Sequence, residues 1–121
     1  AYLNFGHTFA HALETLAGLG AVTHGDAVAW GMGRALSLSL QKGFCTKSYK
    51  DEVFSVLEKY GWVTSALPPL IKDADADKKL LDIMHKDKKN TNSKVKLILQ
   101  KDLCSTFSEE IEDSDILSVL R

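Results

Sequence analysis

Cysteine is nearly absent from this chain: Cys45 and Cys104 are the only two in 121 residues. Their spacing makes neither a zinc knuckle nor a CxxC redox pair, and two thiols are too few for the disulfide framework of a small secreted fold. They read as free thiols in a reducing, cytoplasmic setting. Proline is just as sparse. Pro68 and Pro69 stand side by side in the stretch ALPPL, which is where a helix must break. Long apolar runs are missing too: the longest, Ala27 to Leu40, is interrupted by Arg34 and is too short to span a bilayer. No basic start, apolar h-region and small-residue cleavage site mark a signal peptide. These absences predict no membrane partner. A net charge of −1 excludes a generally basic, nucleic-acid-binding surface. No glycine-rich dinucleotide fingerprint follows a strand, so this chain by itself is not expected to hold NAD firmly. The chain also lacks an initiating Met and carries its richest motif within the first ten or so residues, as a fragment or an excised domain would.

What is present is the composition of one globular domain with a real core, 45% hydrophobic and 26% charged. Phe5, Phe9, Ala12, Leu13 and Leu16 recur at helical spacing, and Asn4 is placed to cap a helix that runs to about Leu19. The stretch GLGAVTHG ends it, because Gly18 and Gly20 are good terminators. A second helix, from about Gly25 to Lys42, is apolar nearly all round, as the buried centre of a bundle is. Gly31 and Gly33 weaken that helix, so a close helix contact is expected at both. A third helix, about Ser48 to Tyr60, turns Val53, Phe54, Val56 and Leu57 inward. A fourth, about Asp75 to His85, carries Leu80, Leu81, Ile83 and Met84. A polar loop, KDKKNTNSK, then leads into the alternating strand KVKLILQ, with STFSEEI as its partner. A last short helix covers Ser114 to Leu120. The fold class is mainly α, a helical bundle with a small C-terminal β-hairpin.

The chemistry concentrates in histidine. At about 100° per residue, His11 and Glu14 lie about 40° and about −20° from His7 on the first helix, so all three share a face. His24 opens the buried second helix, and a short turn can fold it back beside the first. Three histidines and two carboxylates, Glu14 and Asp26, can thus converge on one interhelical seam. That donor set suits zinc and related divalent ions. Hydrogen-bonded core histidines show the same spacing. The metalloprotease motif HExxH is excluded, since Thr8 stands where its glutamate would be, and no His is followed by the Asp of an HD-type phosphohydrolase.

The segments LNFGHTFAHALE and HGDAVAWGMGRA resemble the pattern LNxGHTxGHAxE … HGExVAxGM of 3-dehydroquinate synthases, and DKKNTNSKVKLIL resembles that family's DKK(N) … K(I/V)xxVLL segment. The match runs in order along nearly the whole chain. It implies the C-terminal helical domain, residues 1–121, of a two-domain enzyme whose N-terminal NAD-binding domain lies outside this chain. The implied reaction converts a small phosphorylated sugar acid, 3-deoxy-D-arabino-heptulosonate 7-phosphate, to 3-dehydroquinate and phosphate in the shikimate pathway. The implied cofactors are NAD and zinc, or another divalent metal such as cobalt, and the implied assembly is a homodimer. By the same resemblance His7 and His24 are metal ligands, with a third ligand, a glutamate, supplied by the other domain. His11 handles protons and phosphate at the substrate, Asn4 contacts substrate, and Lys88 or Lys89 is the active-site lysine. A metal polarises the hydroxyl being oxidised, and lysine offers a point charge to a leaving phosphate. A solvated charge run explains Lys86, Lys88 and Lys89 equally well on composition alone.

Two residues and one tract depart from the pattern. Ala10 replaces a glycine between the histidines, Asp26 replaces the glutamate after His24-Gly25, and NTNS replaces a glycine-rich tract. Two other readings therefore stand beside the first: a related sugar-phosphate cyclase, and a helical interaction module without activity. The isolated domain is expected to be inactive.

Overall fold

The structure, a computed structural model, describes residues 6–18, 20–86, 94–102 and 105–121. Five helices and one antiparallel hairpin follow in the order α1 (His7–Ala17), α2 (His24–Gln41), α3 (Lys47–Lys59), α4 (Ala76–Lys86), β1 (Val95–Asp102), β2 (Ser105–Ile111) and α5 (Asp113–Val119).

Local chemistry sets the boundaries. Thr23 Oγ1 accepts from the Asp26 backbone N at 3.1 Å and so caps α2, and Thr46 caps α3 through the Tyr49 N at 3.1 Å. Gly18 closes α1 with φ 93°, a backbone that side chains resist. The start of α1 differs from the sequence reading. Its N-cap is Gly6, at φ 75° and with no side-chain cap, whereas Asn4 lies outside the described residues. A left-handed glycine serves there because the chain enters the helix against another backbone. A Cβ on Gly31 would lie 2.2 Å from the Gly6 carbonyl O, and one on Gly6 would lie 2.7 Å from the Met32 N. The N-terminal end of α1 therefore rests directly on the middle of α2, as the glycines of α2 foretold. Gly33 takes no part in this contact. Its nearest neighbour would be the Phe54 ring at 3.6 Å, an ordinary packing distance.

The core gathers on α2. Phe9 of α1 meets Trp30 edge-on at 6.2 Å, and Leu36, Leu80, Met84, Leu97 and Ile116 are fully buried around them. Along β1, Val95, Leu97 and Leu99 are buried and Lys96 is exposed, the alternation expected of a strand with one face on a core. Its pairing with β2 runs from Val95↔Ile111 to Asp102↔Ser105, with an irregularity between Gln100 and Asp102, so STFSEEI is the partner strand. Arg34 is buried on α2. Its Nη1 donates to the Val119 carbonyl at 2.8 Å and its Nη2 to the Thr64 carbonyl, and burial pushes its guanidinium down to about 10. α5 is tied on by an ion pair from Lys42 to Asp115 at 3.0 Å and by a hydrogen bond between His85 Nε2 and Asp113 Oδ1 at 2.7 Å.

α3 departs from its predicted inner face. Leu57 is buried and Val53 and Phe54 are half-buried, but Val56 is 53% exposed. Among the described residues no helix is long and apolar enough to cross a membrane. Cys45 is a free, half-buried thiol, raised in pKa by burial; Cys104 lies outside the described residues.

Candidate active site

His7 and His24 are the first residues of α1 and α2. Side chains lean toward the N-terminal end of a helix, so a histidine at that position reaches past it. Because Gly6 lets α1 settle on α2, the two imidazoles come together, their centroids 6.0 Å apart at 68°. Glu14, two turns along α1, brings Oε2 to 3.3 Å from His24 Nδ1. The angular reading that put Glu14 on the histidine face is thus realised as a contact with the other helix.

Both rings line a cleft of about 560 Å³ between the helix starts and α3. Its remaining walls are apolar: Val28 and Met32 from α2, Val53, Val56 and Leu57 from α3, and Trp62 beyond it. Val56 is exposed because it faces this opening. The sequence offered little route to Trp62, which lies in an aperiodic segment after α3. Its one signal is the exposed aromatic pair around Gly61, with Tyr60 and Trp62 rings 5.8 Å apart.

The five-group convergence expected from the sequence is only partly formed. His7, His24 and Glu14 meet. Asp26 turns aside, and its Oδ1 accepts from Trp62 Nε1 at 3.0 Å. His11 is exposed on α1. Among the described residues no group of three or more His, Cys, Asp or Glu is arranged to hold a metal ion. Two imidazoles of suitable chemistry, one of them backed by a carboxylate, fit a partial metal site that needs ligands from elsewhere. Asn4, Lys88 and Lys89 lie outside the described residues.

The family model described as 3-dehydroquinate synthase C-terminal matches residues 1–90. The 3-dehydroquinate synthase of Endomicrobium trichonymphae is 39% identical over 121 residues, covering 100% of this chain and 32% of its own length. That of Chlorobium luteolum is 38% identical over 122 residues, covering 99% and 33%. The chain thus spans about a third of the length of the curated relatives it matches. Two solved structures share the fold. A 2-deoxy-scyllo-inosose synthase complexed with carbaglucose-6-phosphate, NAD+ and Co2+ superposes with a TM-score of 0.78 at 22% identity, over 98% of this chain and 34% of its own. A 2-epi-5-epi-valiolone synthase from Streptomyces hygroscopicus subsp. jinggangensis, with NAD+ and Zn2+ bound, gives 0.79 at 19% identity, over 98% and 31%.

Proposed function

The chain belongs to the 3-dehydroquinate synthase family, and on that premise we propose that residues 1–121 form the C-terminal metal- and substrate-binding domain of an enzyme that converts 3-deoxy-D-arabino-heptulosonate 7-phosphate to 3-dehydroquinate and phosphate. The observation that carries this reading is the meeting of His7 and His24 at the mouth of one cleft, with Glu14 behind His24. Zinc or cobalt would be held by those two imidazoles and by a carboxylate from the rest of the protein. When bound, the metal supplies a Lewis acid for the carbon–oxygen centre that is oxidised. NAD would bind to the remainder of the enzyme. The chain's own residues bind and orient. Glu14 fixes the His24 ring, and apolar walls flank the imidazoles on the cleft side. His11, one turn beyond His7, moves a proton at the substrate. Asn4 binds substrate, and Lys88 or Lys89 receives the phosphate.

A related sugar-phosphate cyclase is the second reading. It is favoured by the fold likeness to the inosose and valiolone synthases, but the higher identity to the dehydroquinate synthases favours the first. The test is phosphate release by the full-length enzyme, with NAD and zinc, from the heptulosonate phosphate and from glucose 6-phosphate. Turnover of the first with formation of 3-dehydroquinate supports the proposal. Turnover of only the second refutes it in favour of the related cyclase.

A further inference from the structure

We propose that Trp62, held by Asp26, is the wall of the cleft against which the ring of the substrate lies, and so a specificity-determining residue. The proposal rests on reading the cleft as a substrate site. Asp26 is in the first turn of α2, beside His24, and its backbone is fixed by the Thr23 cap. Its carboxylate accepts the Trp62 indole N–H at 3.0 Å, and a hydrogen bond to a charged acceptor is among the stronger ones. Two residues further on, the Thr64 carbonyl accepts from buried Arg34, again from α2. The Trp62 N also closes the end of α3 through the Leu57 carbonyl at 3.0 Å. The aperiodic segment after α3 is therefore pinned to the helix that carries His24. The position of the indole is fixed relative to that imidazole.

The chemistry of the cleft selects its occupant. Its histidines offer polar contacts at one end, while Trp62, Val28, Met32 and Val56 present an almost wholly apolar surface. An occupant that pressed its charged or polar groups against such a wall would lose hydration. A cyclic polyhydroxylated acid does not, because its hydroxyls can turn toward the imidazoles while a face of ring C–H groups lies on the flat indole. Asp26 is thus a positioning residue acting through Trp62, and the missing methylene relative to the family glutamate acquires a task in this chain.

The test uses the full-length enzyme with Trp62→Ala, Trp62→Phe, Asp26→Ala and the double variant Asp26→Ala/Trp62→Ala, measuring KM, kcat and bound metal. Trp62→Ala should raise KM about 10-fold with a much smaller change in kcat and unchanged metal content. Trp62→Phe, which keeps a flat face, should recover most of the loss. The double variant should be no worse than Trp62→Ala alone. Independent, multiplying effects of the two single substitutions would overturn the coupling. Unchanged KM in Trp62→Ala would overturn the wall, as would lost thermal stability without a KM change, which marks a surface covered by the rest of the protein. A wild-type enzyme silent on the heptulosonate phosphate counts against the proposed function alone. Wild type and Trp62→Phe are then titrated with glucose 6-phosphate and sedoheptulose 7-phosphate by indole fluorescence. Saturable quenching that depends on Trp62 supports the proposal, and its absence with both sugars overturns it.

Discussion

His24 is 71% exposed at its side chain, yet one of its two ring nitrogens is already engaged. With the proton on Nδ1 donated to Glu14, Nε2 keeps its lone pair free for a metal, which is how an outer carboxylate sets the tautomer of a ligating histidine. Among the described residues His7 has no such hydrogen-bond partner, and His11 is exposed. The three histidines should therefore separate on substitution in the full-length enzyme. His7→Ala and His24→Ala should each lose bound metal and turnover together. His11→Ala should slow turnover while metal content stays near wild type. Glu14→Ala should weaken metal affinity about 10- to 100-fold without abolishing it. Metal analysis beside initial rates, with a chelator competition for Glu14→Ala, checks all four, and equal metal loss in every variant would contradict the division. The placing of Glu14 was legible because three residues on one helix keep fixed angles. The placing of Asp26 was not, because its partner Trp62 comes from a segment with no period to read.

At the scale of elements, the contact of α1 with α2 is what brings the histidines together, and at Gly6 and Gly31 it is made by backbone rather than by side chains. The Gly6 carbonyl that a Gly31 Cβ would strike at 2.2 Å also accepts from the Ala10 N at 3.0 Å, so it cannot move aside without opening the first turn of α1. Gly31→Ala should cost about 3 kcal/mol, the upper part of the usual range for overpacking. At several degrees per kcal/mol for a domain of this size, that lowers the Tm by roughly 10 °C. Gly33→Ala meets only a side chain at 3.6 Å and gains up to about 1 kcal/mol of helix propensity, so it should leave the Tm level or raise it. Thermal unfolding by circular dichroism separates the two, and similar losses would contradict the contact. The sequence marked both glycines as alike, since periodicity shows which residues share a helix but not which face meets another backbone. The exposure of Val56 has the same origin: an apolar residue at helical spacing signals burial against something, and the period does not say what.

At the scale of the whole domain, Arg121 ties the segment after α5 to α4, its Nε 2.7 Å from Asp77 Oδ2. The hydrogen bond from Arg121 holds the Asp77 carboxyl below its ordinary 3.8, and lysines do the same for Asp73 and Asp51. A carboxyl lowered in the folded state stabilises it above the unfolded pKa, and that contribution disappears as pH falls through the folded value. Stability should therefore hold from neutrality to about pH 5 and decline below about pH 4. Asp77→Asn should flatten part of that decline, and denaturant melts from pH 3 to 7 test it.

The helices, the hairpin and the core of this domain could be read from period and punctuation because their partners lie within the chain. The candidate site could be read only in part, because the chain spans about a third of its relatives' length and the proposed metal site needs a ligand from outside it. That division has a measurable consequence. On the proposed reading His7 and His24 are two ligands, and a catalytic zinc normally rests on three protein ligands and a water. Losing an outer-shell partner alone costs about 10- to 100-fold in metal affinity, and losing a direct ligand costs more. Residues 1–121 produced alone should therefore bind zinc more than about 100-fold more weakly than the full-length enzyme, and His24→Ala should remove what binding remains. Zinc titration of both proteins by calorimetry decides this. Tight stoichiometric binding by the isolated domain that survives the loss of His24 would place the metal elsewhere and detach the histidine pair from the chemistry of the cleft.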